Sequence, residues 1–129
     1  MSENTKPSVG TIGWIDLTVE NADEVRDFYS KIIGWKTSPI SMGDYSDYTM
    51  ITPDTNIPVS GVCHAKGTNA GLPAKWLIYI NVADINESII QCEKLGGKIL
   101  TAPKDYSGMG KYCVIEDTAG AVCALFEPK

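Results

Sequence analysis

The feature that most constrains this chain is an internal repeat. The segment GWIDLTVENADEVRDFYSKIIGW, residues 13–35, returns as WLIYINVADINESIIQCEKLGGK, residues 76–98, at a constant offset of 63. Trp14 falls on Leu77, Leu17 on Ile80, Val19 on Val82 and Asn21 on Asp84. Further along, Glu24 falls on Glu87, Lys31 on Lys94, Ile32 on Leu95 and Gly34 on Gly97. A chain of 129 residues holds about one domain. The two copies are therefore halves of one fold.

Each copy reads as a strand followed by a helix. Over residues 12–19, Ile15, Leu17 and Val19 share one face of a strand, and Trp14, Asp16 and Thr18 share the other. Over residues 76–82, Ile78, Ile80 and Val82 match the first face, and Leu77, Tyr79 and Asn81 match the second. The aliphatic face is expected under the helix, with the mixed face turned away from it. Asn21 and Asp84 are N-cap residues, each followed three residues later by a glutamate in a capping-box pattern. Val25, Phe28, Tyr29 and Ile32 then follow helical spacing, as do Ile85, Ile89, Cys92 and Leu95. Gly34 and Gly97 are expected to stop helices of about 12 residues in left-handed conformations.

Three shorter apolar runs follow each helix. They are Trp35–Ser41, Asp47–Thr52 and Pro58–His64 in the first copy, and Lys98–Ala102, Lys111–Glu116 and Ala121–Phe126 in the second. Turn residues separate them. The predicted fold is α+β, with two βαβββ modules related by the repeat. The expected organisation is a flexible tail over residues 1–8, a first module over 9–65, a linker over 66–75 and a second module over 76–129, all in one structural domain. A ferredoxin-like sandwich would repeat βαβ, and the extra strand per copy argues against it.

Charge and composition narrow the partners. The net charge is -5 and no run of Lys or Arg occurs, which argues against a nucleic-acid partner. No stretch reaches the roughly 18 apolar residues of a membrane-spanning helix. The opening MSENTKPS has neither the basic start nor the apolar core of a secretory leader, so a cytoplasmic location is expected. Cys63, Cys92, Cys113 and Cys123 form no C-x-x-C pair and read as reduced core residues. His64 is the single histidine, so a Ser/His/Asp arrangement has only one base to draw on. No phosphate-cradling glycine motif is present.

The paired βαβββ repeat, with DFYSKIIGW (residues 27–35), GMGKYCVIEDTAG (residues 108–120) and the terminal ALFEP, resembles the vicinal oxygen chelate superfamily. That group includes glyoxalase I, bleomycin-resistance proteins and extradiol dioxygenases. The likeness runs from about Val9 to Glu127. It implies two modules paired as half-barrels around a cleft, and a homodimer. In its metalloenzymes, His, Glu or Gln side chains on the first and last strands of each module hold a divalent metal such as Zn, Ni, Mn or Fe. Here the first-strand positions, five residues before Val19 and Val82, hold Trp14 and Leu77. The last-strand position of the second module, seven residues after Asp117, holds Ala124. The remaining position falls within Val59–His64 and is not assigned to a residue. An indole N–H only donates, and Leu and Ala offer no lone pair. A register slip would leave His64, Glu116 and Glu127 as candidate ligands.

The resemblance together with strand parity places Trp14, Asp16, Thr18, Leu77, Tyr79, Asn81, Val122, Ala124 and Phe126 along the cleft. Aromatic and aliphatic walls with a few polar groups suit a small organic molecule. Trp14 and Tyr79 are expected to stack on a flat ligand. The expected function is small-molecule binding without a metal or other cofactor. The alternative is a divalent-metal-dependent lyase, dioxygenase or thiol transferase with a shifted ligand set. Asp16, beside Trp14, is the candidate general base if metal-free catalysis occurs. The loops Met42–Tyr48 and Lys104–Met109 are candidate flaps.

Overall fold

The computed structural model describes residues 7–129. The expected tail, residues 1–8, falls almost wholly outside the described residues. Chain order is β1 (Ile12–Val19), α1 (Ala22–Ile33), β2 (Lys36–Ser41), β3 (Ser46–Ile51) and β4 (Pro58–His64), then β5 (Trp76–Asn81), α2 (Ile85–Lys94), β6 (Lys98–Asp105), β7 (Gly110–Glu116) and β8 (Val122–Pro128). The fold is α+β with βαβββ written twice, as the repeat predicts. Two compact units result. One runs from Trp14 to Trp76, and the other joins residues 7–13 to Leu77–Lys129.

In the first unit the strand order is β2-β3-β4-β1. β1 pairs parallel with β4, and the remaining pairs are antiparallel. The aliphatic face of β1 lies under α1, as expected. Leu17 and Val19 join Ala22, Tyr48, Met50 and Val62 in a buried core, with Val25, Tyr29, Trp35 and Trp76 packed against it. Met50 and Val62 are wholly buried, and each such side chain contributes about 1.5–3 kcal/mol. The Trp76 indole N–H donates to the Tyr29 hydroxyl at 3.2 Å, so the half-buried indole has its partner. Phe28 and Ile32, expected on the buried stripe of α1, are more than half exposed. The stripe is centred on Ala22, Val25 and Tyr29, which leaves Phe28 and Ile32 on its flank. The stretch 66–75, expected to be a linker, carries a short 3-10 turn at Gly67–Asn69 and belongs to this unit.

In the second unit the order is β6-β7-β8-β5, again with one parallel pair, β5 with β8. Ile85, Cys113 and Leu125 form its core under α2, with Ile80, Val82, Ile89 and Ile115 against them. Residues 9–13, expected to open the first module, are grouped here. The Gly10 N–H donates to the Asn81 carbonyl at 2.8 Å, and the Asn81 N–H donates to the Thr11 carbonyl at 2.9 Å. β6 bulges between Ile99 and Lys104, and the Thr101 hydroxyl accepts the Val114 N–H at 2.9 Å where the ladder is interrupted.

The two helices begin differently. The Asp84 carboxylate accepts from the N–H groups of Asn86 and Glu87, as an N-cap should. Asn21 accepts no capping bond. Its backbone is not extended, and its side-chain amide donates to Glu24 instead. The ends differ as well. Gly34 is left-handed at φ 93, as expected. In the second copy the left-handed residue is Gly96 at φ 98, not Gly97. Gly97 is glycine for space, since a Cβ there would press on Cys92 Sγ and the Glu116 carbonyl. Asp84→Ala should therefore cost about 1 kcal/mol in urea unfolding, and Asn21→Ala less than half of that.

Candidate functional site

The mixed face of β1 carries Trp14, Asp16 and Thr18. The Trp14 indole N–H donates to Asp16 Oδ1 at 2.7 Å. This bond between residues two apart is direct evidence that they share a face. Asp16 and Thr18 are buried, at 2% and 4% exposure. The parallel register sets Asp16 beside Gly61 and Thr18 beside Cys63. A Cβ on Gly61 would collide with Asp16 Oδ1. Glycine at this point is what admits a carboxylate into the sheet face. Burial, with Asp16 and Asp47 nearby, pushes the Cys63 thiol far up, which removes it as a nucleophile. Burial likewise raises Cys113, to about 11, and Cys123. All four cysteines are free thiols.

The mixed face of β5 carries Leu77, Tyr79 and Asn81, all buried. Register places Ala124 beside Tyr79 and Phe126 beside Asn81 on β8. Across β8, Tyr112 pairs with Phe126, Val114 with Ala124 and Glu116 with Val122. Val122, Ala124 and Phe126 thus share the face of Tyr79. Tyr79 also meets two rings outside the expected set. The Tyr106 ring stacks on it, with centroids 5.8 Å apart and planes 21° apart. Tyr112 lies 6.0 Å away, and Tyr106 meets Tyr112 and Phe126 edge-on at 5.4 and 5.9 Å. Tyr112 could have been found from its alternation with Val114. Tyr106 lies beyond a strand end and carries no periodic signal. The Asn81 amide packs against Gly13, and its Nδ2 is buried with no hydrogen-bond partner among the described residues.

Of the candidate shifted ligands, His64 and Glu127 lie on the helix-facing side, whereas Glu116 shares the mixed face through its pairing with Val122. His64 is paired with Val19 on the helix-facing side of β4. Its Nε2 lies 3.6 Å from Asp23 of α1, and its Nδ1 lies 3.4 Å from Asp47. Glu127 accepts the Ile85 N–H at 2.8 Å and so helps to cap α2. Glu116 sits at the end of β7, opposite Lys98 and Val122. Among the described residues, no group of three or more His, Cys, Asp or Glu side chains could hold a metal ion. Beside His64, the Tyr48 hydroxyl donates to Asp23 Oδ1 at 2.6 Å, under the Arg26 guanidinium 4.4 Å from its ring. That bond is the main cause that holds Asp23 below the ordinary carboxylate range and Tyr48 above the ordinary phenol range.

The family model described as Glyoxalase/Bleomycin resistance protein/Dioxygenase superfamily matches residues 11–125. The chain belongs to this superfamily. It is similar to the anthracycline biosynthesis protein DnrV of Streptomyces peucetius, 26% identical over 133 aligned positions. These cover 95% of this chain but 48% of that protein, so the chain spans about half the length of this relative. Among solved structures, methylmalonyl-CoA epimerase from Mycobacterium tuberculosis shares the fold, with a TM-score of 0.59 at 13% identity over 98% of this chain and 94% of that one. A hypothetical protein from Bacillus halodurans does so with a TM-score of 0.61 at 13% identity, covering 95% and 96%. The superfamily's fold is the one derived above from the repeat.

Two measurements check the local arguments. Gly61→Ala should destabilise the protein by about 1–3 kcal/mol. Pairing it with Asp16→Ala should recover part of that loss in chemical denaturation, because the collision is gone. Tyr48→Phe should lower stability, by an amount that depends on pH. The Asp23 contribution is present above the ordinary carboxylate pKa and is lost as pH falls through its lowered folded value. The Tyr48 contribution is present below the ordinary phenol pKa and is lost as pH rises through its raised folded value. The gap between wild type and variant should be flat from roughly pH 5 to pH 9 and narrow on both sides.

Proposed function

We propose that this member of the superfamily binds a small, flat organic molecule on its mixed sheet faces and does so without a metal. One observation carries the reading, the joining of Tyr79, Tyr106, Tyr112 and Phe126 into one aromatic surface beside a buried amide. Pockets for organic ligands combine such apolar walls with a few fixed polar groups. On the other unit, Trp14 and Asp16 supply a second aromatic and polar pair. The name of the Streptomyces peucetius relative, an anthracycline biosynthesis protein, is in keeping with an organic ligand.

The residues present do not fit the superfamily's divalent metal. Trp14 Nε1 is a donor already engaged by Asp16, while Leu77 and Ala124 are buried and have no lone pair to offer. Glu127 and His64 are engaged by α2 and by Asp23 and Asp47. Asp16, which accepts the Trp14 indole N–H, is the proposed carboxylate for proton transfer on the mixed face of β1 if a bound molecule presents an acidic C–H or O–H. The working state we propose is a cytoplasmic homodimer. No helix among the described residues is long and apolar enough to cross a membrane.

Native mass spectrometry of protein purified without chelator tests this. The expected spectrum shows a dimer without stoichiometric metal, with or without added mass from a carried organic molecule. About one divalent ion per chain would overturn the metal-free reading and favour a lyase, dioxygenase or thiol transferase with a ligand set of its own.

A further inference from the structure

We propose that a flat conjugated ring system bearing a carbonyl oxygen binds the second unit by taking the place of the Tyr106 ring on Tyr79. This rests on the binding reading above and names its ligand class and the group that must move. The ring geometry singles out Tyr106. It is the one ring close to parallel with Tyr79, at 21°, whereas its contacts with Tyr112 and Phe126 are at 62° and 80°. An offset parallel place on an aromatic face is where a fused-ring ligand gains most. Tyr79 and Tyr112 are each 6% exposed, while Tyr106 is only half-buried. Phe126 is half-buried too but stands within β8, whereas Tyr106 lies between β6 and β7 and is the ring that can leave without opening the sheet.

The backbone shows how it would leave. Tyr106 flanks a tight turn whose two central residues, Ser107 and Gly108, have φ of 52 and 75, the sign pattern of a type I′ hairpin turn. The Tyr106 N–H donates to the Gly110 carbonyl, and its carbonyl accepts from Met109, both at 2.9 Å. The Gly108 N–H donates to Asp105 Oδ2 at 2.9 Å. A Cβ on Gly110 would collide with the Phe126 ring and the Glu127 carbonyl, so the hairpin lies tight against β8. With its main chain held on both sides, Tyr106 vacates its place by side-chain rotation and the hairpin stays folded.

The carbonyl follows from Asn81. It shares the β5 face of Tyr79, pairs with Phe126, and is 4% exposed. Its Nδ2 has no acceptor among the described residues. A buried donor without a partner is unfavourable, and a ligand oxygen delivered to it removes that deficit. Aromatic surface plus a lone donor selects a flat ring with a carbonyl over a flat hydrocarbon.

The experiment titrates the full-length protein with anthraquinone-2-sulfonate, and with anthracene-2-sulfonate as the flat probe lacking carbonyls. Tyr106→Ala should bind the quinone about five- to tenfold tighter than wild type, because the competing ring no longer has to be displaced. Tyr106→Phe, which keeps the ring, should stay within about twofold of wild type. Wild type should favour the quinone over the anthracene by about fivefold or more. Equal or weaker quinone binding by Tyr106→Ala, with wild type still binding, would overturn the displacement and leave the binding reading intact. Failure of wild type and Tyr106→Ala to bind either probe would overturn both. Equal affinity for the two probes would overturn the carbonyl preference. A second measurement needs no variant. In wild type, the ring-to-ring nuclear Overhauser contact between Tyr79 and Tyr106 should vanish at saturating quinone, and its persistence would count against displacement.

Discussion

A strand cannot send neighbouring side chains to the same face, and both units of this protein are built on that constraint. In β1 and β5 it separates an aliphatic row from a row of Trp, Asp, Thr, Tyr and Asn. The aliphatic row meets a helix, and the apolar cores gather there. The other row is thereby committed to the opposite side, whatever it contains. A shift of one residue in register would place Asp16 under α1 and Leu17 on the mixed face. Pairing with β4 and β8 therefore decides the site as well as the fold.

Burying polar groups on that second face has its own requirements. Asp16 is nearly inaccessible, and it is accommodated by an indole donor and by a neighbour with no side chain, Gly61. Removing water from a carboxylate without such donors costs several kcal/mol. Elsewhere the chain satisfies polar groups by engaging side chains that sequence reasoning had kept available. Glu127 turns to the first N–H of α2, where the helix dipole also favours an anion. His64 is enclosed by Asp23, Asp47 and the rings of Tyr45 and Tyr48. Structural duties thus engage two of the polar side chains, Glu127 and His64, that a shifted ligand set would draw on.

The periodic parts were legible in the sequence, because strand alternation and helical spacing are local and repeated at a constant offset. The order βαβββ, the face of each site residue on β1, β5 and β8, and the Asp84 cap all follow from such patterns. What could not be read turns on particular contacts. Asn21 and Asp84 occupy equivalent places with the same glutamate three residues on, yet only Asp84 caps, because only its backbone is extended. Gly96 and Gly97 are adjacent glycines, and only packing shows that one supplies a left-handed turn and the other supplies room for Cys92. His64 sits on the helix-facing side because of its pairing with Val19, a relation across 45 residues of chain that no local pattern states.

Tyr106 is the most instructive of these. It has no partner at helical or strand spacing, and its place over Tyr79 comes from the return of the β6–β7 hairpin onto the sheet. Two positive φ angles at Ser107 and Gly108 set the tightness of that return. A longer, looser loop would have delivered the ring to many places. A tight hairpin delivers it to one and keeps the main chain fixed, so that any movement of the ring is a side-chain rotation. In the proposed displacement, the ring uncovers the face of Tyr79 without any change in the strands beneath. A surface of this kind is specific through the rigid sheet below it and adaptable through a single ring above it. In the proposed binding mode, that combination is what admits a planar molecule without unfolding any part of the core.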